Sequence, residues 1–339
     1  MKKIFKAATA ILLGTVLLCS FPGNSMAMRR TLTDRDFENV ELSQAGGDVE
    51  GYLLSAGYPL SFIRDIDETQ KRDLFENKCT FESQEITYGI FTEDYNISYR
   101  LSNNGNVIMD EANKAAYHEL LRNRDLVNKI IADKAESMQM AKNTVSAAEI
   151  NRMPENASVL SLSNWTASIT VSHTSYSNNI SKKKLTYNWK WSYAPIWTLT
   201  DKVAVAWSGD FTAEPSTIYW TYKKNVGFTG SQLHMDYIDE SGYGYDDYDC
   251  NAGCAKGIDI RGTIAGTYNR YHKGSLSLTL TKNTSTNTRE SAIGRYYHKE
   301  ITPKLSLSFS KSGPSISVSS GSMYDQSSDS AVAFWATSK

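Results

Sequence analysis

The chain has 339 residues, with 36 Lys and Arg against 37 Asp and Glu and a formal net charge of −1. A near-neutral chain gives no electrostatic case for nucleic acid, whose binding depends on neutralising phosphates, so nucleic acid is not an expected partner. The length suits two domains of about 150 residues each, and a chain of this size buries enough surface to fold without a disulfide or metal staple.

Residues 1–27 read as a processing signal. Lys2, Lys3 and Lys6 precede an apolar run from Ala7 to Leu18, and Ser25-Met26-Ala27 is a small-x-small cleavage site. The apolar run is shorter than the roughly 20 residues a membrane span needs. Cys19 follows Leu18, which is too bulky for a lipoprotein site, so cleavage after Ala27 is the expected processing and the product is expected to be secreted. Export permits disulfides. Cys250 and Cys254 could close a small ring, Cys79 could pair with either, or all three could be free thiols. No second ligand pair is spaced for zinc.

The region 28–141 has the pattern of a small helical domain with a few strands. Asp48 to Ala56 predicts a short helix stopped by Gly57, and Pro59 opens a second helix with Leu60, Ile63 and Ile66 on one side. Asp67-Glu68-Thr69-Gln70 predicts a helix cap with its reciprocal partner three residues on. Thr80 to Ile90 and Ile97 to Leu101 alternate as strands, with a turn at Asn104-Gly105. From Asp110 to Met140 the apolar spacing is helical. Periodicity is lost over 142–157, which contains Pro154 and reads as a linker.

Beyond residue 158 the composition changes. All seven Trp lie there, five of them between Lys184 and Lys223. Ser and Thr alternate with apolar residues in Leu276 to Leu280, Leu305 to Phe309 and Ile316 to Val318, as in strands with one wet face. The expected fold is therefore α+β in two domains: a mostly helical amino-terminal one and a carboxy-terminal antiparallel β-sandwich over 158–339. Most of the tryptophans are expected to be buried, with the indole-rich segment from Lys184 to Lys223 supplying the wall of the sandwich interior.

Gly57-Tyr58-Pro59 between two short helices, followed by Trp197-Thr198-Leu199-Thr200-Asp201 and Ala206-Trp207, resembles a group of secreted proteins of Gram-positive bacteria. The resemblance implies export and a two-part layout, and carries over no activity and no site residue.

Catalytic motifs are sparse. His118, His173, His234, His272 and His298 are scattered, without the i, i+4 pair of a zinc hydrolase, and read as surface or half-buried imidazoles. There is no Gly-x-Ser-x-Gly elbow and no phosphate-binding Gly-rich loop. Ser308-Phe309-Ser310-Lys311 fits Ser-x-x-Lys, but in a strand pattern that separates the two side chains. The segment 236–250 is acidic and aromatic. Asp236, Asp239, Asp246, Asp247 and Asp249 offer the oxygen ligands calcium takes, although not at helix-loop-helix spacing. Tyr219, Trp220 and Tyr222 form the expected outward aromatic set, flanked by Lys182 to Lys184 and Lys223-Lys224.

The leading expectation is a secreted, non-enzymatic binding or interaction protein. Its β domain would present the surface to an extracellular glycan or protein, with no cofactor unless calcium fills the acidic loop. The alternatives are a membrane-active, pore-forming toxin, from the amphipathic alternation, and an extracellular hydrolase working through paired carboxylates.

Overall fold

The computed structural model describes residues 48–92, 94–102, 104–137, 159, 162–191, 200–227, 236–260, 268–299, 307–310, 313–318 and 324–337. Residues 1–27, read from the sequence as a signal, residues 142–157, read as a linker, and Trp197 and Lys311 lie outside the described residues. The chain divides into two compact units, 1–64 and 65–339.

In the first unit, α1 (Asp48–Ser55) ends where Gly57 takes φ +93°. A left-handed residue there lets the Tyr58 amide donate back to the Leu53 carbonyl at 3.0 Å, a helix stop that only glycine adopts without strain. Pro59 then precedes α2 (Leu60–Asp65), and the Tyr58 and Phe62 rings stack with centroids 5.3 Å apart.

The second unit is mostly antiparallel β-sheet. It opens with α3 (Glu68–Glu76), whose capping box forms as the sequence specifies. Asp67 accepts from the Gln70 amide at 2.8 Å while the Gln70 side chain accepts from the Asp67 amide at 3.2 Å. Strands β1 (Thr80–Phe91), β2 (Asn96–Leu101) and β3 (Val107–Ile108) follow. The helical stretch from Asp110 is two helices, α4 (Glu111–Arg122) and α5 (Arg124–Ser137). Asn123 separates them: its amide donates to the Leu120 carbonyl and its Oδ1 accepts from the Leu126 amide, so one residue ends α4 and caps α5. Tyr117, Leu120, Val127, Ile130 and Ile131 of these helices form one core with Ile90, Ile97 and Tyr99 of β1 and β2.

The remaining strands are β4 (Trp165–Ser177), β5 (Ile180–Trp191), β6 (Thr200–Trp207), β7 (Thr212–Ala213), β8 (Tyr219–Gly227), β9 (Asp236–Tyr243), β10 (Asp247–Asp249), β11 (Gly253–Asp259), β12 (Tyr268–Asn283), β13 (Arg289–Lys299), β14 (Leu307–Ser310), β15 (Ser315–Val318), β16 (Tyr324–Gln326) and β17 (Ser330–Trp335). A nine-stranded sheet runs β3-β2-β1-β4-β5-β12-β8-β9, with β7 on β12; a six-stranded sheet runs β10-β11-β6-β13-β16, with β17 on β13; β14 and β15 form a hairpin. Strand β1 pairs with β4 from Thr80↔His173 to Gly89↔Trp165, so strands from either side of residues 142–157 lie next to each other in one sheet.

Alternation decides the core. Trp165, Ile169, Tyr187, Trp189, Trp191, Leu276 and Leu278 of the large sheet are buried with Val203, Val205, Trp207, Ala292, Tyr296 and Val332 of the second sheet in one cluster. Each buried indole or phenol of this size removes a large apolar area from water, which helps to offset chain entropy. The other face of the second sheet, with Ala204, Ala206, Ala255 and Ile293, packs against Leu307 and Ile316 of the β14–β15 hairpin.

One expectation is corrected. The Ser and Thr face of the large sheet is not wet: Thr170, Ser172, Thr186, Asn188, Ser275 and Ser277 are all buried. Helix α3 lies over part of it, with Ser275 Oγ donating to Gln70 Oε1 at 3.0 Å and Lys184 Nζ meeting Asp73 at 2.5 Å.

Candidate binding cleft

Cross-strand register lays the outer face of the large sheet out in rows. Ser172, Lys184 and Thr279 are successive partners, then Thr170, Thr186, Ser277, Tyr219 and Tyr243, then Ser168, Asn188, Ser275, Thr221 and Ser241. Because α3 carries Gln70, Asp73 and Asn77 at helical spacing, one polar helix face meets this polar sheet face. A cleft of about 290 Å³ lies where they diverge, lined by Thr69, Gln70, Asp73 and Asn77 of the helix, Lys182, Lys184, Tyr219, Tyr243, Ser277 and Thr279 of the strands, and Glu214, Ser216 and Thr217 of the 3-10 turn.

The charges in the cleft are matched. Lys184 pairs with Asp73 at 2.5 Å, and Lys182 with Glu214 at 3.7 Å. Glu214 also accepts from Thr281 Oγ1 at 3.0 Å. Cys79 lies at the cleft wall with Sγ 3.4 Å from Thr174 Oγ1, and burial raises its thiol above the ordinary value, so it is held as the neutral, weakly nucleophilic form. Gln70 is only 4% exposed; its Oε1 accepts from Ser275 and from the Asp67 amide, while Nε2 has no protein partner. At the rim the Tyr219 and Tyr243 rings lie 5.1 Å apart at 56°, and Tyr243 is 68% exposed. Tyr245, also exposed, stacks on Tyr248 at 4.5 Å.

Of the aromatic set read from the sequence, only Tyr219 reaches this surface. Tyr222 is fully buried, with its hydroxyl 2.7 Å from His272 Nδ1, and Trp220 packs partly buried against the main core. The reason is the period of two: Tyr219 and Trp220 are neighbours in a strand and point to opposite faces. Two imidazoles are also more deeply buried than expected. His272 is fully buried, and His298 Nδ1 lies 3.0 Å from the buried Asp201, whose second oxygen accepts from the Tyr296 hydroxyl.

The acidic segment is held by protein cations and amides where it is described. Asp246 accepts from Lys256 Nζ at 3.0 Å and from the Gly257 amide, Asp247 pairs with Lys202 at 2.5 Å, and Asp249 accepts from the Asn251 amide. Asp236 and Asp239 lie on β9, of which the backbone pairing is described there. Among the described residues no three His, Cys, Asp or Glu side chains converge as a metal site. Cys79, Cys250 and Cys254 are all free thiols. Cys254 faces the main core while Cys250 is half-buried at the β10–β11 turn, so the small ring is not closed.

No motif in the sequence marks the cleft residues Gln70, Asp73, Glu214, Thr217, Ser277 and Tyr243. The only local signal was the polar i, i+3 face of Gln70 and Asp73 beside a recognisable cap.

No protein-family model matches the chain, and no curated protein matches it. Among solved structures it is similar to one described as "Pore forming protein", at 11% identity and TM-score 0.26 over 48% of this chain and 85% of that one. It is similar to the Clostridium perfringens NetB toxin in the membrane-inserted form, at 12% identity and TM-score 0.21 over 48% and 89%. It is also similar to a collagen-binding domain from a Staphylococcus aureus adhesin, at 10% identity and TM-score 0.21 over 45% and 99%. Likenesses this distant carry nothing over to this chain.

Proposed function

We propose that the protein is a secreted, non-catalytic binding protein whose cleft between α3 and the large sheet takes a polyhydroxylated ligand, a glycan. The finer reading of the fold belongs to the same proposal: the two sheets form a β-sandwich, and the large sheet with α3 presents the cleft. The observation that carries it is Gln70. A 96% buried amide with its oxygen doubly engaged and its Nε2 donor unpartnered gains from an acceptor delivered by a ligand. Hydroxyls of Thr69, Ser216, Thr217, Ser277 and Thr279 line the same space, and such groups both donate to and accept from sugar hydroxyls. The exposed Tyr243 ring supplies the apolar face on which a pyranose stacks.

A glycan array followed by calorimetry tests the proposal. A bound glycan should lose about tenfold in affinity in Tyr243→Ala and in Gln70→Ala, each change removing one good contact. An array without a hit, or a hit indifferent to both substitutions, removes the reading.

A further inference from the structure

The 3-10 turn that walls the cleft, Pro215–Thr217, has the chain beyond β9 running alongside it. At one end of the turn the Gly244 amide donates to the Ile218 carbonyl at 2.9 Å. At the other the Tyr248 hydroxyl donates to the Ala213 carbonyl at 2.8 Å. Two exposed rings sit on this flank. Tyr243 stands against its register partner Tyr219 at the cleft rim. Tyr245 stacks on Tyr248, with centroids 4.5 Å apart and planes 26° from parallel. Tyr245 is 41% exposed, so Tyr248 covers one face of its ring and solvent the other. Between the two tyrosines Gly244 takes φ +123°, a turn of the chain that a side chain would strain. Two residues span at most about 7 Å, so the second ring follows directly on the first.

The turn beside these rings is polar and fixed. Thr217 Oγ1 donates to the Glu214 carbonyl at 2.7 Å and accepts from the Thr279 amide at 2.9 Å, while Ser216 is exposed. We propose that the ligand of the cleft is a linear oligosaccharide, which passes Tyr243, crosses the turn at Ser216 and stacks a further sugar on Tyr245. This rests on the glycan reading of the cleft and adds the form of the ligand to it. Rings set beside a hydroxyl-bearing turn suit a sugar chain, in which each unit offers an apolar face edged by hydroxyls. A protein partner would want a contiguous apolar patch instead. Stacking on Tyr248, itself tied to the Ala213 carbonyl, holds the Tyr245 ring in place before anything binds, so little freedom is lost on contact.

The full chain is screened on an array of cello-, chito- and malto-oligosaccharides, each from disaccharide to hexasaccharide, and the series bound best is measured by calorimetry. Affinity should rise about tenfold between disaccharide and tetrasaccharide. Tyr245→Ala should bring the tetrasaccharide down to the affinity of the wild-type disaccharide, with the loss confined to the longer members. Tyr245→Phe keeps the ring and should keep the rise. Tyr243→Ala should weaken every member alike, because its ring belongs to the cleft itself. Equal affinity at every length, a rise that survives Tyr245→Ala, or a loss in Tyr245→Ala that is the same at every length overturns the second platform and leaves the cleft reading standing. Binding to none of the three series also overturns it, and the cleft reading falls with it only if the wider glycan array has no hit.

Discussion

The Tyr219 hydroxyl donates to Oδ2 of Asp67 at 3.0 Å, while Oδ1 of the same carboxylate accepts from the Gln70 amide at 2.8 Å. One side chain thus caps helix α3 and fastens it to strand β8, so helix start and cleft rim move together. Asp67→Ala should cost about 2 kcal/mol, roughly half from the cap and half from the tyrosine bond. Tyr219→Phe should cost about 1 kcal/mol, and nothing further in the Asp67→Ala background. Urea denaturation of the two single variants and the double variant measures this; additive losses would mean that the pair is not coupled.

Alkaline pH should unfold the protein through its phenols. Burial, the first cause in each case, holds Tyr99, Tyr187 and Tyr296 above the ordinary 10.0, and Tyr248 is pushed up to about 12. Above 10.0 the unfolded chain releases protons that the folded chain retains. The tyrosine contribution is therefore whole below 10.0 and is lost as pH rises through the folded values. Lys183 and Lys273, held low by burial, act in the opposite sense below 10.5. Stability measured in urea between pH 9 and 12, values chosen to bracket that window, should fall less steeply in Tyr187→Phe; an unaltered slope would exclude that ring from the effect.

Lys183 is fully buried and pairs with Glu82 at 2.6 Å, and Glu82 also accepts from the Trp335 amide. Removing the ammonium leaves a poorly solvated carboxylate, so Lys183→Ala should lose about 3 to 5 kcal/mol. Lys183→Met combined with Glu82→Gln should recover most of that loss. Thermal melting of the three proteins decides between charge burial and simple packing as the cause.

Aromatic rings lie directly over two strand glycines. A Cβ at Gly294 would meet Tyr187 Cδ2 at 2.2 Å, and one at Gly274 would meet the Thr221 carbonyl at 2.5 Å and the Trp189 ring at 2.7 Å. Alanine at either position should therefore destabilise by about 1 to 3 kcal/mol, despite the usual strand preference for a side chain. Gly274→Ala should be the worse, since its obstacle includes backbone. Denaturation midpoints of the two variants test the order.

Local patterns were legible where the physics is local. The capping box at Asp67 and Gln70, the stop at Gly57 and the alternation of Leu276, Leu278 and Leu280 all follow from the identity of near neighbours, and the structure has each of them. The burial of Trp189, Trp191 and Trp207 was legible for the same reason. Alternation tells which residues share a face but not what covers it, so the roof that α3 places over Ser275 was invisible. The cleft joins Gln70 to Ser277 and Tyr243 through strand register, which no stretch of sequence encodes alone. In the tyrosine–tryptophan run at 219–222, strand period and not ring count sets the outcome: it turns Trp220 and Tyr222 to the core and Tyr219 to the cleft.

The pairing of β1 with β4 has a practical corollary. A fragment begun at residue 158, where the composition changes, would strip β4 of its neighbour from Trp165 to His173 and bare that row of amides and carbonyls along its outer border. Another copy of the fragment would be the nearest thing able to dock there, so the excised piece should clump where the intact chain stays dispersed.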